Sequence, residues 1–348
     1  MEVASVPEPA VTTDDGSSNQ FDIFATYQSI LKNEEISTPL AAILALTKLI
    51  EKSNAGTMFE LVKALNDGAE ILKKRTTNPI SLNAGCELFI AFAYLFPHDA
   101  DSFSDLKTEL VKQGQRYATE ALTYRDKIAK LALGFIKDDS VILTHSYSRV
   151  VMKTLLRAHE RKRISVYVTE ARPRGLGLRT YDELTAAGIP CTVVLDSAVS
   201  YVMDQVDFVL VGSEAVVESG GLINAVGSNQ IAIIAKAANK PFYALAESYK
   251  FHRLFPLSQY DLPTHNPSIL AFPLSSTATT VSSPTSSSGS TDGKTLPSEG
   301  PRFMTQEQVA CNPDVDYTRP DLISLVFSDV GSLTPEGVSQ YLVGMFAG

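Results

Sequence analysis

The hydrophobic period of this 348-residue chain changes near Phe135, and that change constrains the fold more than any other feature. Before it, apolar residues recur at helical spacing: Leu40, Ile43 and Leu44 set the period, and Leu46, Leu49 and Ile50 widen the apolar face, so a largely buried helix is expected there. The next helix opens with the capping box Thr57-Met-Phe-Glu60 and carries Leu61, Leu65, Ala69 and Leu72 on one side. Further on, Tyr117, Ala121, Tyr124, Ile128, Leu131 and Phe135 alternate steps of four and three, the seam of one long helix packed against its neighbours. After Phe135, short β-branched runs at 141–144, 164–169, 191–195, 207–211, 241–245 and 322–327 read as buried strands. Helical stretches at 150–158, 181–187 and 229–238 separate most of them. The fold class expected is α/β, with a helical domain over 21–134 followed by a doubly wound parallel sheet over 135–348.

Two segments fall outside this pattern. Residues 1–20, rich in Pro, Ser, Asp and Thr, bury too little apolar surface to offset the entropy of ordering and are expected to form a disordered tail. The Ser, Thr, Pro and Gly-rich stretch at about 265–302 is expected to be a disordered surface insertion, and no function is assigned to it. No apolar run is long enough to cross a bilayer, and the acidic, Pro-bearing N-terminus is unlike a signal peptide, so no membrane partner is expected and the cytosol is the expected location. Cys86, Cys191 and Cys311 lie far apart without CxxC spacing or a nearby His cluster, which argues against a disulfide framework or a metal site. A net charge of -9 opposes the phosphate backbone, so direct nucleic-acid binding is not expected. The one compact basic run, 157–163, reads as the last turns of a helix, where cations complement the dipole.

Ligands of doubly wound sheets bind beyond the carboxyl ends of the strands. Three polar clusters lie there: Thr144-His145-Ser146-Tyr147-Ser148-Arg149; the loop carrying Glu170, Arg172, Arg174, Gly175, Gly177 and Arg179; and Gly212-Ser213-Glu214 with Glu218, Gly220, Gly221 and Asn224. The three arginines precede a helix, and guanidinium forks with free backbone N–H groups suit a phosphate; a solvated loop whose arginines pair with local acids is the alternative. The GxGxxG-like string from Gly175 lacks its third glycine, Thr180 standing there, and is a weak dinucleotide signature. Ser146 beside His145 has no GxSxG elbow around it, which argues against a serine hydrolase.

The strings THSYSRVV, VYVTEARPRG, CTVVLDSAVSYVMDQVDFVLVGSEAVVESGGLINAVGSNQ, KPFYALAESYKFHRLFP and VDYTRPDLISLVFSDVGSLTP, with SLNAGCELF upstream, closely resemble the alpha subunits of eukaryotic translation initiation factor 2B. The resemblance spares only the first 20 residues and the Ser-rich insertion. It implies a Rossmann-like second domain shared with methylthioribose-1-phosphate and ribose-1,5-bisphosphate isomerases. By the same resemblance the chain is expected to be a homodimer that joins larger halves of a decameric exchange factor, with the other subunits of initiation factor 2B and the phosphorylated alpha subunit of initiation factor 2 as partners. The isomerases carry a catalytic Cys after Thr-His and a catalytic Asp after Val-Gly-Ala. Here Ser146 and Glu214 stand in those places, and Ala225 replaces a Lys after Asn224, so no catalysis is expected. A hydroxyl is a far weaker acid than a thiol, and the extra methylene of Glu214 displaces its carboxyl.

No cofactor is expected to be required. His145, Ser146, Arg172, Arg174, Glu214, Gly220, Gly221 and Asn224 are the candidates for a retained pocket that takes a sugar phosphate or a nucleotide monophosphate, or for its vestige. An active sugar-phosphate isomerase is the alternative in the enzyme class. Thr38, Pro39, Asn83 and Glu87 are the candidates for contacting the phosphorylated partner. The strand at 322–327 and the Thr334-Pro335 helix start are the candidates for the dimer contact.

Overall fold

Six helices build the first half of the computed structural model, which describes residues 21–76, 79–97, 102–272 and 304–346. Helix α1 (Ile23–Leu31) starts where Asp22 accepts the N–H groups of Phe24 and Ala25, and α2 (Thr38–Lys52) carries Pro39 in its first turn, where a missing N–H costs nothing. In α3 (Met58–Arg75) Thr57 caps Glu60 N–H at 3.3 Å, but the Glu60 carboxylate returns to Gly56 N–H at 2.8 Å, one residue beyond the usual box. Helix α4 (Pro79–Leu95) packs on α2 and α3, and α5 (Phe103–Ala121) packs on α2.

The seam expected to run unbroken through 117–135 is interrupted. Helix α5 ends at Ala121 and a separate α6 (Tyr124–Ala132) follows, then a 3-10 turn (Leu133–Phe135). The cause is Thr123: its N–H and its hydroxyl both bond to Glu120 O, at 2.9 and 2.7 Å, while its own carbonyl opens α6 by accepting from Asp126 and Lys127. A β-branched hydroxyl side chain that bonds back to the main chain ends one helix and starts another.

The second half contains β1 (Ser140–His145), α7 (Arg149–His159), β2 (Ile164–Thr169), α8 (Gly177–Ala186), β3 (Cys191–Val194), α9 (Val199–Val202) and β4 (Phe208–Val211). Next come β5 (Ala215–Val217), β6 (Leu222–Ala225), α10 (Ser228–Ala237), β7 (Phe242–Leu245) and β8 (Phe251–His252). The described chain resumes with α11 (Gln306–Ala310), β9 (Val315–Thr318), β10 (Leu325–Ser328), β11 (Gly331–Leu333) and α12 (Pro335–Phe346). The main sheet has the order β11-β10-β7-β4-β1-β2-β3, parallel except for β11 at its edge. Its parallel strands follow the order of a doubly wound dinucleotide fold, which reverses at β1. All six expected strands lie in it, although the last begins at Leu325 because Pro320 and Leu322 are drawn into a 3-10 turn.

A second sheet, β8-β5-β6-β9, is absent from the sequence reading. Its strands are two to four residues long, too short for a period to register. Ile80 from α4 packs into its core with Ile223 and Tyr317, tying the two halves together. Tyr249 makes the reverse connection: it is 1% exposed, belongs to the helical core and stacks on Tyr124. The N-terminal 20 residues and 273–303 of the Ser/Thr-rich insertion lie outside the described residues. Residues 265–272, expected within that insertion, make a turn on the Asn266 side chain, and Leu270 N–H bonds to Cys311 O.

Candidate functional site

The carboxyl ends of β1 and β4 meet at the reversal of strand order, and a cavity of about 460 Å³ opens there between the sheet and the helical half. Tyr147, Ser148 and Arg149 reach it from the end of β1, Ser213 and Glu214 from the end of β4, and Thr38 and Pro39 from α2. Gly212 permits the close approach of the two strand ends: a Cβ there would lie 2.1 Å from Ser148 Oγ. Ser146, with φ of 60°, turns the chain sharply after β1, and Thr180 holds that turn by donating to Ser146 O at 2.7 Å.

Three cations border the cavity, and each is engaged. Arg149 donates to the carbonyls of Glu34 and Ile36 in the loop before α2, so a residue of the sheet half grips the helical half. Arg179 bonds Glu183 at 2.9 Å and lies 4.1 Å over the Tyr147 ring. Lys250 donates to Ser213 O at 2.9 Å and sits 3.0 Å from Glu247 Oε2 without hydrogen-bond geometry, so that second contact is Coulombic. Arg125 of α6 completes the network, donating to Glu247 Oε1 at 3.1 Å and to Glu35 at 3.2 Å. Burial alone would raise the Glu247 pKa, but Lys250 and Arg125 override it and hold the carboxyl at about 2.

The expected site residues divide between the cavity and its surroundings. Glu214 and Asn224 line it, the latter donating to Ser228 Oγ at 3.0 Å. His145 is buried with both ring nitrogens committed, Nδ1 to Thr169 Oγ1 at 2.6 Å and Nε2 to Val226 O at 2.9 Å, which leaves none for Ser146. Arg172 and Arg174 are on the exposed loop after β2, within 3.6 Å of Glu170 and 3.4 Å of Asp314, outside the cavity lining. The local-acid alternative describes Arg172 and Arg174, whereas Arg179, further along the same segment, reaches the cavity lining. Gly220 abuts the Pro335 backbone and Gly221 the Tyr317 ring, so both serve packing of the second sheet and α12. Asn83 donates to Glu87 at 3.0 Å and contacts His252 Nε2 at 2.8 Å, on α4 beside a separate groove that Glu87 lines.

Residues 33–335 match the Initiation factor 2 subunit family. The chain belongs to that family. It is 38% identical over 336 residues to the translation initiation factor eIF2B subunit alpha of Dictyostelium discoideum, a match that spans 95% of this chain and 99% of the other. It is also 36% identical over 165 residues to the ribose 1,5-bisphosphate isomerase of Archaeoglobus fulgidus, across 47% of this chain and 53% of that protein, so enzymes are among its more distant relatives. A solved chain of the tetrameric eIF2B-beta2-delta2 complex from C. thermophilum superposes with a TM-score of 0.67 at 19% identity, covering 94% of this chain and 95% of that one. That likeness confirms the fold expected of an initiation factor 2 family member, a helical half followed by a largely parallel sheet.

In this family member the sequence reading passed over Glu247, Lys250 and Arg125. Glu247 and Lys250 sit in the string AESYK after β7, a strand end like the others, so position along the chain was the available signal. Arg125 gave none, because it acts across 122 residues of sequence. Asp316 was also missed. It accepts Gly227 N–H at 2.7 Å and Asn229 N–H at 3.0 Å, fixing the turn whose Val226 carbonyl holds His145. Burial raises its pKa to about 7 against the lowering effect of those N–H groups. A carboxyl raised in the folded state stabilises below its unfolded value and loses that contribution as pH rises through the folded one. The helix N-terminus it faces favours the ionised form and limits the effect. Asp316→Asn is therefore expected to gain about 2 kcal/mol on wild type between pH 5 and pH 8, read as the difference in urea midpoints. Parallel pH curves for the two proteins would refute it.

Proposed function

We propose that this chain is a regulatory, non-catalytic subunit of the cytosolic exchange factor that reloads translation initiation factor 2 with guanine nucleotide. In this reading it is a homodimer that bridges two larger halves into a decamer, and it helps sense the phosphorylated alpha subunit of initiation factor 2. The observation that carries the reading is the likeness to an eIF2B alpha subunit over 95% of this chain; Ser146 and Glu214, at the places where the resemblance implies Cys and Asp in the isomerases, support it. No described helix is long and apolar enough to cross a membrane.

The chemistry supports the loss of turnover. Proton transfer between adjacent carbons of an opened sugar is helped by a group that can give and take a proton near neutrality, and a serine hydroxyl is a far weaker acid than a thiol. The purified chain is expected to show no conversion of ribose 1,5-bisphosphate above buffer; turnover by the wild-type chain would overturn the reading.

For partner contact, Thr38 and Pro39 border the interdomain cavity, and Asn83 and Glu87 lie one helix away. Gly85 of α4 packs on Pro39, so the two helices that carry these four residues touch. For the dimer, Val326 and Phe327 of β10 are fully buried within the protomer, so the outward surface at this end is left to edge strand β11 and to α12, where Val343 is exposed. The start of α12 has the expected form, Thr334 Oγ1 accepting Gly337 N–H ahead of Pro335.

A second reading concerns the cavity, where Arg149, Arg179 and Lys250 converge. A sugar phosphate or nucleotide monophosphate bound there would draw Arg149 from the loop carbonyls or Arg179 from Glu183. Calorimetry with ribose 1,5-bisphosphate and with a nucleoside monophosphate tests it; no heat with either leaves the cavity a vestige.

A further inference from the structure

We propose that a separate cavity of about 300 Å³ inside the helical half, between α2, α4 and α5, binds a small aryl or alkyl carboxylate whose head group pairs with Arg116. This site shares no lining residue with the interdomain cavity.

Its walls are apolar: Ile43 from α2, Leu88, Phe89 and Phe92 from α4, and Tyr117 from α5. Phe89 and Phe92 have ring centroids 6.0 Å apart, tilted by 33°, and present ring faces and edges to an incoming apolar group. A space lined this way holds water poorly, since water needs several polar partners, whereas an aromatic or branched aliphatic body gains the full benefit of burial. The volume and the largely apolar lining with a few polar groups are those of a small-ligand site.

The polar side chains of the lining are Gln113, Arg116 and Glu120, and two of the three pair with described residues. Gln113 donates to Glu109 at 2.7 Å, and Glu120 accepts from Lys127 at 3.3 Å. Arg116, exposed on α5, makes no hydrogen bond or ion pair with the described residues. A guanidinium with its donors unspent beside an apolar cavity selects a ligand with an apolar body and a carboxylate, which the planar fork holds with two parallel hydrogen bonds.

The test compares 3-phenylpropanoate with 3-phenylpropan-1-ol on the full chain, by ligand-observed NMR and titration. The acid is expected to bind about five-fold more tightly than the alcohol, the gain of a charge pair at a partly exposed rim. Arg116→Gln, a surface change that leaves the bundle intact, is expected to abolish that preference and leave the alcohol unchanged. Leu88→Trp is expected to fill the cavity and remove both; the chain has no other tryptophan, so blue-shifted emission reports the indole seated inside. Failure of both probes to bind at millimolar concentration, equal affinity for acid and alcohol, or undiminished binding with the indole buried would each overturn the proposal.

Discussion

Replacing Arg125 with methionine is expected to cost about 3 kcal/mol of stability. Glu247 is 1% exposed, and Arg125 supplies its one hydrogen bond from a side chain of the helical half. Without Arg125 the carboxylate remains in the interior with Lys250 as its nearest cation, at 3.0 Å. Removing one partner of a buried pair leaves a desolvated charge, which is why the loss far exceeds that of a surface ion pair. The remaining lysine keeps the cost near the lower end for such changes. Because Glu247 is held at about 2, its contribution is complete above its unfolded value and is lost only as pH falls through 2. The penalty should therefore be the same at pH 6 and pH 8, unlike that of Asp316→Asn. Adding Glu247→Gln to Arg125→Met should recover part of it, since the buried carboxylate is gone and Lys250 keeps Ser213 O as a hydrogen-bond acceptor. Urea unfolding of the single and double variants checks both statements, and a single variant within 1 kcal/mol of wild type would contradict the first.

Gly85→Ala is expected to destabilise by about 3 kcal/mol although it adds one methyl group to a helix. By propensity alone alanine would gain about 1 kcal/mol over glycine in a helix interior. Here the new Cβ would lie 2.4 Å from Pro39 O and 2.8 Å from Pro39 Cα, both backbone atoms that no rotamer change can move. Helices α2 and α4 would have to separate where Gly85 meets Pro39. The same variant is then expected to weaken any partner contact made there even where the protein remains folded. An unchanged or raised thermal midpoint would show that the two helices yield freely.

The period switch near Phe135 is enough to place a helical half before a parallel sheet, because the six main strands are short, largely apolar runs and helices separate most of them. The second sheet was illegible for the opposite reason: strands such as Phe251–His252 are held by partners distant in sequence and leave no pattern of their own. The end of α5 depended on one hydroxyl at Thr123, which periodicity does not register. In the cavity, sequence reading found the clusters that follow β1 and β4, since strand ends in such sheets carry ligands. Of the arginines after β2 only Arg179 reaches the lining, where Arg149 joins it, while Arg172 and Arg174 lie beside local acids, a division that no local segment of sequence records. Arg125, Glu247 and Asp316 are visible only once the two halves and two sheets are assembled.

The most direct measurement is the affinity of the assembled exchange factor for the alpha subunit of initiation factor 2, phosphorylated and unphosphorylated, with this chain present and omitted. A preference for the phosphorylated form that appears only when this chain is present is the expected result. Equal affinity with and without it would contradict the regulatory role.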